Sequence, residues 1–331
     1  MIKIGIDLLG SDTPPQFLLD AILTFSSQLK EPIHFVFIAT FEFKKKIFAA
    51  AKKSNRKLLS FYEAENYITM EDNPLFAIRR KKKSSMAIGM RLLKEERIDA
   101  LVSAGNTGAL VSLAKVYLPL FKGVARPALL ALMPTDKKKI VVLDVGANLN
   151  SKAKHLIQFA MLGVAYQRAA GIKNPIVGLL NIGSEAKKGT VEVKKAYLEL
   201  NKMADSYGFK FIGNIEGKEV FQSSIDVLVT EGFTDNVFLK TAEGITNFIL
   251  SRLQNLDDEF LQDLNKSLHY AEYPGAFLCG LNKVIVKCHG YSTPEAFISG
   301  VKEAMNLVAT NKIEKMKTFF NYGEKKSSTL P

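Results

Sequence analysis

Five short runs of small polar residues are the places where this chain could do chemistry. They are Gly10-Ser11-Asp12, Ser103-Ala104-Gly105-Asn106-Thr107-Gly108, Asp144-Val145-Gly146-Ala147-Asn148, Asn181-Ile182-Gly183-Ser184-Glu185 and Gly232-Phe233-Thr234-Asp235-Asn236. Taken singly, each reads as an ordinary turn, because Gly and Asn are the default residues for positive φ. Their number and placement give a second reading. The first four follow short apolar runs, and loops that leave the carboxyl ends of strands to enter helices present free N–H groups that attract anions. Asn, Ser, Thr, Lys and Arg side chains around such loops suit holding an oxyanion better than forming a covalent intermediate. The expectation is a polar cleft that receives an anion and supports direct group transfer.

Other chemistries lack an anchor. GxGxxG is absent, and residues 275–280 have the glycine spacing of a phosphate-binding loop but are followed by Leu281 where that loop needs lysine. Neither the nucleophile elbow GxSxG nor HExxH occurs. The two cysteines, Cys279 and Cys288, have no metal-ligand or redox-dithiol spacing and fit a reducing cytoplasm. No metal and no cofactor are expected.

The elements that must position these loops are legible as alternation. β-rich runs at 2–6, 33–38, 58–62, 100–102, 140–143, 176–180, 209–212, 227–229 and 284–286 are separated by helical stretches. That pattern predicts an α/β fold, a largely parallel sheet covered by helices on both faces. At 331 residues the chain is long enough for one large domain over 1–318, or two intimately joined lobes, followed by a polar tail over 319–331. Ser292-Thr293-Pro294-Glu295 opens the last long helix with a capping-box spacing and an early proline. Another helix begins near Asp235, with Phe238, Ala242, Ile245 and Ile249 at three- and four-residue intervals, which puts Asn236 in its first turn. Leu250, Leu253, Leu256, Phe260, Leu261, Leu264 and Leu268 continue as an amphipathic stripe. Its acidic face (Asp257, Asp258, Glu259, Asp263) favours core or dimer packing over an anionic membrane.

A formal charge of +12 attracts anionic partners at long range. The basic runs 44–46, 79–83 and 137–139 are scattered and lack nucleic-acid-binding companions, so nucleic acid is not an expected partner. No stretch is apolar for long enough to span a membrane, and residues 1–10 are not a signal peptide.

Several motifs, in order over about residues 1–310, resemble the PlsX-type phosphate acyltransferases. They are Ser103-Ala-Gly-Asn-Thr-Gly-Ala-Leu110, Leu143-Asp-Val-Gly-Ala-Asn148, Gly178-Leu-Leu-Asn-Ile-Gly183, Gly232-Phe-Thr-Asp-Asn-Val-Phe-Leu-Lys-Thr-Ala-Glu-Gly244, Arg79-Arg-Lys-Lys-Lys-Ser-Ser-Met86 and Lys287-Cys-His-Gly290. The resemblance implies a three-layer α/β/α Rossmann-like core, similar to phosphotransacetylases and isocitrate-type dehydrogenases. It further implies a homodimer that transfers a long-chain acyl group from acyl carrier protein to inorganic phosphate. Such an enzyme is cytoplasmic, acts peripherally at the membrane surface, and passes its acyl phosphate to a glycerol-phosphate acyltransferase. The alternatives are a short-chain acyl-CoA:phosphate acyltransferase and a silent membrane or carrier-protein scaffold.

Carried onto this sequence, the resemblance makes Lys188 and Asn236 catalytic. It makes Asp12, Arg79, Ser84, Ser85, Asn106, Thr107, Asn148, Asn181, Lys240 and His289 binding residues for substrate or phosphate. Bland roles compete with each: a solvated lysine at 188, a helix cap at Asn236, a satisfied buried histidine at 289. The first loop departs from the family pattern, with Ser11 where a glycine and Thr13 where a histidine is usual.

Overall fold

The computed structural model describes residues 1–53, 58–253 and 275–327. The chain divides into two compact units, Met1–Pro127 with Pro274–Ile313 and Ala128–Tyr273 with Glu314–Pro331.

In the first unit the strands are β1 (Lys3–Asp7), β2 (His34–Ala39), β3 (Leu59–Glu63), β4 (Ala100–Ser103), β10 (Ala276–Cys279) and β11 (Val284–Lys287). They lie in the order β3-β2-β1-β4-β11-β10, parallel except for β10, which pairs antiparallel with β11. The central strands are continuous apolar runs because helices cover the sheet, and Ile4, Ile6, Phe37, Leu101, Val102 and Ile285 are completely buried. The helices are α1 (Pro15–Gln28), α2 (Lys44–Lys53), α3 (Pro74–Arg80), α4 (Ser85–Lys94), α5 (Thr107–Tyr117) and α10 (Pro294–Ala309). Local chemistry sets their starts: Asn73, Ser84, Asn106 and Thr293 each accept an N–H of the first turn, and Pro294 stands at the first helical position. The capping residue of α10 is Thr293; Ser292 Oγ instead donates to His289 O.

In the second unit β5 (Ala128–Pro134), β6 (Lys139–Leu143), β9 (Val227–Val229), β7 (Ile176–Asn181) and β8 (Lys210–Glu216) lie in that spatial order. β5 and β6 form an antiparallel hairpin and the others are parallel. Helices α6 (Ala153–Ala169), α7 (Val191–Tyr207), α8 (Gly217–Val220) and α9 (Gly232–Leu253) accompany them. A core of Met133, Ile140, Val142, Leu180, Ile215, Val220, Ile225, Leu228 and Leu239 holds this unit. Leu239 fixes the rotation of α9. Gly232, Asp235 and Leu239 form its inward stripe, whereas Asn236, Lys240, Ile245 and Ile249 are exposed.

Helix α11 (Lys312–Ser327) continues through most of the segment expected as a polar tail. Beyond Leu253, the expected leucine stripe lies outside the described residues. No helix among the described residues is long and apolar enough to cross a membrane.

Candidate active site

Parallel strands end on a common edge. In the first unit that edge carries the loops at 8–14, 64–73, 104–106 and 288–293. Asp7 and Lys287 close strands β1 and β11 as buried charged residues. Asp7 accepts from Ser103 Oγ (2.8 Å) and Leu9 N (3.4 Å), and Ser85 also bonds it. Burial outweighs these bonds and pushes its carboxyl up to about 6. Lys287 donates to the carbonyls of Cys288 and, at 3.4 Å, Ala104. Burial pulls its ammonium down to about 8, opposed by the fields of Cys288, Asp12 and Asp7. Cys288 is itself buried, which pushes its thiol up to about 12 and removes it as a nucleophile.

Backbone bonds lock the surrounding loops together. Asp12 N and Thr13 N both donate to Gly290 O (3.0 and 3.3 Å), and Thr13 Oγ1 donates to Ser292 O (2.9 Å). Thr13, where the family pattern has histidine, is thus a brace, and Ser11 Oγ donates to Thr13 O (2.9 Å). Tyr291 N donates to His289 Nδ1 (3.2 Å), so the neutral ring of His289 carries its proton on Nε2.

The expected residues of this unit divide into two groups. Asp12, Arg79 and His289 are exposed. Ser84, Ser85 and Asn106 are buried supports: Ser84 caps α4, Ser85 bonds Asp7, and Asn106 Oδ1 accepts from Ala109 N (3.0 Å). The amide of Asn106 also donates to Thr69 O, Met70 O and Asp72 O at 3.2, 3.2 and 3.1 Å. Thr107, half-buried, opens α5.

The second unit's edge carries the loops at 144–148, 182–190 and 230–231. Asp144 is fully buried and accepts four bonds: from Leu129 N (2.7 Å), Ala147 N (3.1 Å), Asn148 N (2.7 Å) and Asn148 Nδ2 (2.9 Å). Burial still pushes its carboxyl up to about 6. Gly232 N donates to Asn148 O (3.1 Å), and a Cβ at Gly232 would stand 2.6 Å from that oxygen, so α9 can begin this close to the loop only at a glycine. Asp235 follows, completely buried, with no hydrogen-bond partner for either carboxylate oxygen among the described residues. Burial, and then the nearby charge of Asp144, raise its carboxyl well above the ordinary range.

Asn148 is therefore a buried support, and Asn181, half-buried, is a support as well. Asn181 Nδ2 donates to Lys188 O (3.1 Å) and its Oδ1 accepts from Ile182 N (2.8 Å), which closes the loop that presents Lys188. Gly189, at φ 87°, completes that turn before Thr190 caps α7. Lys188 Nζ is half-exposed and 3.9 Å from Glu185, a weak tether. Asn236 and Lys240 are exposed one turn apart on α9. Lys188 thus faces solvent in the loop that follows β7, and Asn236 and Lys240 face solvent one and two turns past the first residue of α9. The sequence reading missed the buried ionisable group of each edge, Asp7 with Lys287 and Asp144 with Asp235; the available signal was a charged residue closing an apolar strand run, as in Lys3-Ile-Gly-Ile-Asp7 and Val284-Ile-Val-Lys287. No group of three or more His, Cys, Asp or Glu among the described residues could hold a metal ion.

A protein family described as fatty acid synthesis protein matches residues 2–315. The phosphate acyltransferase of Chlamydia pneumoniae is 43% identical over 313 residues, covering 92% of this chain and 95% of that one. That of Chlamydia abortus is 41% identical over 319 residues, covering 95% and 98%. Among solved structures, a phosphotransacetylase from Streptococcus pyogenes superposes with a TM-score of 0.62 at 15% identity, over 95% of this chain and 94% of that one. At that identity the likeness concerns the fold, an α/β architecture with a mostly parallel sheet.

Proposed function

From a chain that belongs to the fatty acid synthesis protein family and is a phosphate acyltransferase, we infer a more specific reaction: transfer of a long-chain fatty acyl group from acyl carrier protein to inorganic phosphate. The observation that carries it is the second unit's edge, where Lys188 and Lys240 face solvent with Asn236 between them in sequence. Phosphate is bound there as an anion by the two ammonium groups and by free N–H groups at the start of α7. One phosphate oxygen attacks the thioester carbonyl carbon. The new C–O bond forms, the oxyanion is stabilised by the Asn236 amide, and the C–S bond then breaks to release the carrier's thiolate, which takes a proton. Asn148 and Asn181 act indirectly, by holding the loops.

The same reading includes a homodimer acting at the membrane surface, whose acyl phosphate serves phospholipid synthesis through a glycerol-phosphate acyltransferase. The charge of +12 supports an acidic carrier as donor. A second reading, short-chain acyl-CoA as donor, draws on the phosphotransacetylase-like fold. Incubation with phosphate and either long-chain acyl carrier protein or acyl-CoA, with hydroxylamine to trap acyl phosphate, separates the two. Product from the carrier is expected; product from short acyl-CoA alone selects the second reading.

A further inference from the structure

We propose that the outer face of α3, with the segment that leads into it, is the docking surface for the acidic carrier protein that brings the acyl thioester; this rests on the carrier reading above. Helix α3 presents Leu75, Phe76, Arg79 and Arg80 on one side, at the spacing of adjacent turns, while Ala77 points into the unit. Leu75 is 63% and Phe76 54% exposed, and Tyr67 and Met70 are exposed in the preceding segment. Single exposed apolar residues need no explanation, but four within ten residues, interleaved with arginines, form a patch of the composition that protein interfaces favour.

Helix α3 itself carries basic charge alone, while the acidic Glu71 and Asp72 lie in the segment that leads into it. Lys81 and Lys83 are taken up by Asp72 and Glu65, each at 2.5 Å. Among the described residues Arg79, Arg80 and Lys82 have no ion-pair partner. The Arg80 guanidinium lies over the Phe76 ring, 4.1 Å from its centroid, which holds ring and charge in one orientation. An apolar strip flanked by three free cations complements an acidic, partly apolar protein surface and is repelled by a basic one.

What lies beneath gives the surface a purpose. Pro74 packs so closely on the first turn of α5 that a Cβ at Gly108 would stand 2.7 Å from it, and Asn106 holds the carbonyls of Thr69, Met70 and Asp72. Met70 also lies against Gly290, where an added Cβ would be 2.9 Å from its Cε. A partner seated on α3 is therefore one residue layer from the strand-edge loops that carry Asp12, Asn106 and His289, residues the resemblance assigns to substrate binding.

The test is steady-state kinetics with two donors of the same acyl chain, carried on acyl carrier protein or on pantetheine alone. The paired substitution Arg80→Glu, Lys82→Glu should raise KM for the carrier about tenfold at low salt and leave kcat unchanged, with the gap closing as salt rises. With acyl-pantetheine, KM and kcat should change less than about twofold. Phe76→Ser should raise carrier KM without that salt dependence, and Lys137→Glu, an exposed lysine of the second unit, should leave it unchanged. An unchanged carrier KM in the charge-reversal variant, or equal losses with both donors, overturns the docking surface. If the wild type makes acyl phosphate from acyl-pantetheine or acyl-CoA but never from the carrier, the donor reading falls and takes the surface with it.

Discussion

At the strand edge of the first unit the buried charges are mixed: Lys287 is buried within the fields of Asp7 and Asp12. At the edge of the second they share one sign: Asp144 and Asp235 are both buried, and the cations, Lys188 and Lys240, face outward. Similar glycine and asparagine loops thus rest on different electrostatic floors. Four N–H donors fill the sites that the Asp144 carboxylate offers and offset part of the cost of its burial. Among the described residues Asp235 has no donor, so a second negative charge there would go uncompensated, and its carboxyl is raised well above the ordinary range. Of the buried carboxyls of the second unit, Asp226 is paired with Lys138 and Asp144 with N–H donors, and Asp235 lies uncompensated below the surface proposed to receive phosphate.

The largest expected effect concerns that surface. Asn236→Ala should lower turnover on the order of a hundredfold or more, because a lost oxyanion donor is not replaced by water. Its exposed position predicts an unchanged melting temperature. If turnover is unaffected, Asn236 is only a residue of the helix start, and the two edges no longer differ in catalytic importance.

The buried groups sharpen the comparison through pH. Lys287 is lower in the folded state, about 8 against an ordinary 10.5. Between those values the unfolded chain alone binds the proton, so stability rises with pH by up to about 3 kcal/mol. Lys287→Met should flatten that rise in urea titrations at pH 8, 9 and 10. Asp235 has the opposite sign. Its folded value is raised, so its contribution is intact below about pH 4, the ordinary Asp range, and is lost as pH rises toward the folded value. Asp235→Asn should stabilise the protein at pH 7 relative to pH 4, by about 1.4 kcal/mol for each unit by which the carboxyl was raised. A wild-type-minus-variant difference independent of pH would mean that Asp235 ionises freely.

The smallest effect is a control. Lys138 pairs with buried Asp226 and belongs to the fold, so the control is confined to exposed Lys137. Lys137→Glu alone should shift carrier KM less than about twofold.

Nine of the eleven strands among the described residues were legible as β-branched or alternating runs. The two missed, β5 and β10, read Ala-Leu-Leu-Ala-Leu-Met-Pro and Ala-Phe-Leu-Cys, with no β-branched residue to mark them. Both are antiparallel partners of strands that were found, an arrangement set by pairing and not by local composition. On α9 the apolar series from Phe238 correctly indicated a helix, yet Ile245 and Ile249 are exposed and Asp235 occupies the inward stripe. Sequence periodicity gave that helix no register, and without register a buried aspartate looks like any other. Lys188, Asn236 and Lys240 were singled out through the family motifs; all three are exposed, and because α9 begins at Gly232, Asn236 and Lys240 lie one and two turns past its first residue.

The most direct test is the phosphate dependence of the initial rate at saturating acyl donor, for wild type and Lys188→Ala. The account predicts a strongly raised KM for phosphate in the variant with folding intact, since Lys188 is half-exposed and tethered only weakly to Glu185. A wild-type phosphate KM in the folded variant would contradict it and move phosphate binding away from the second unit's edge.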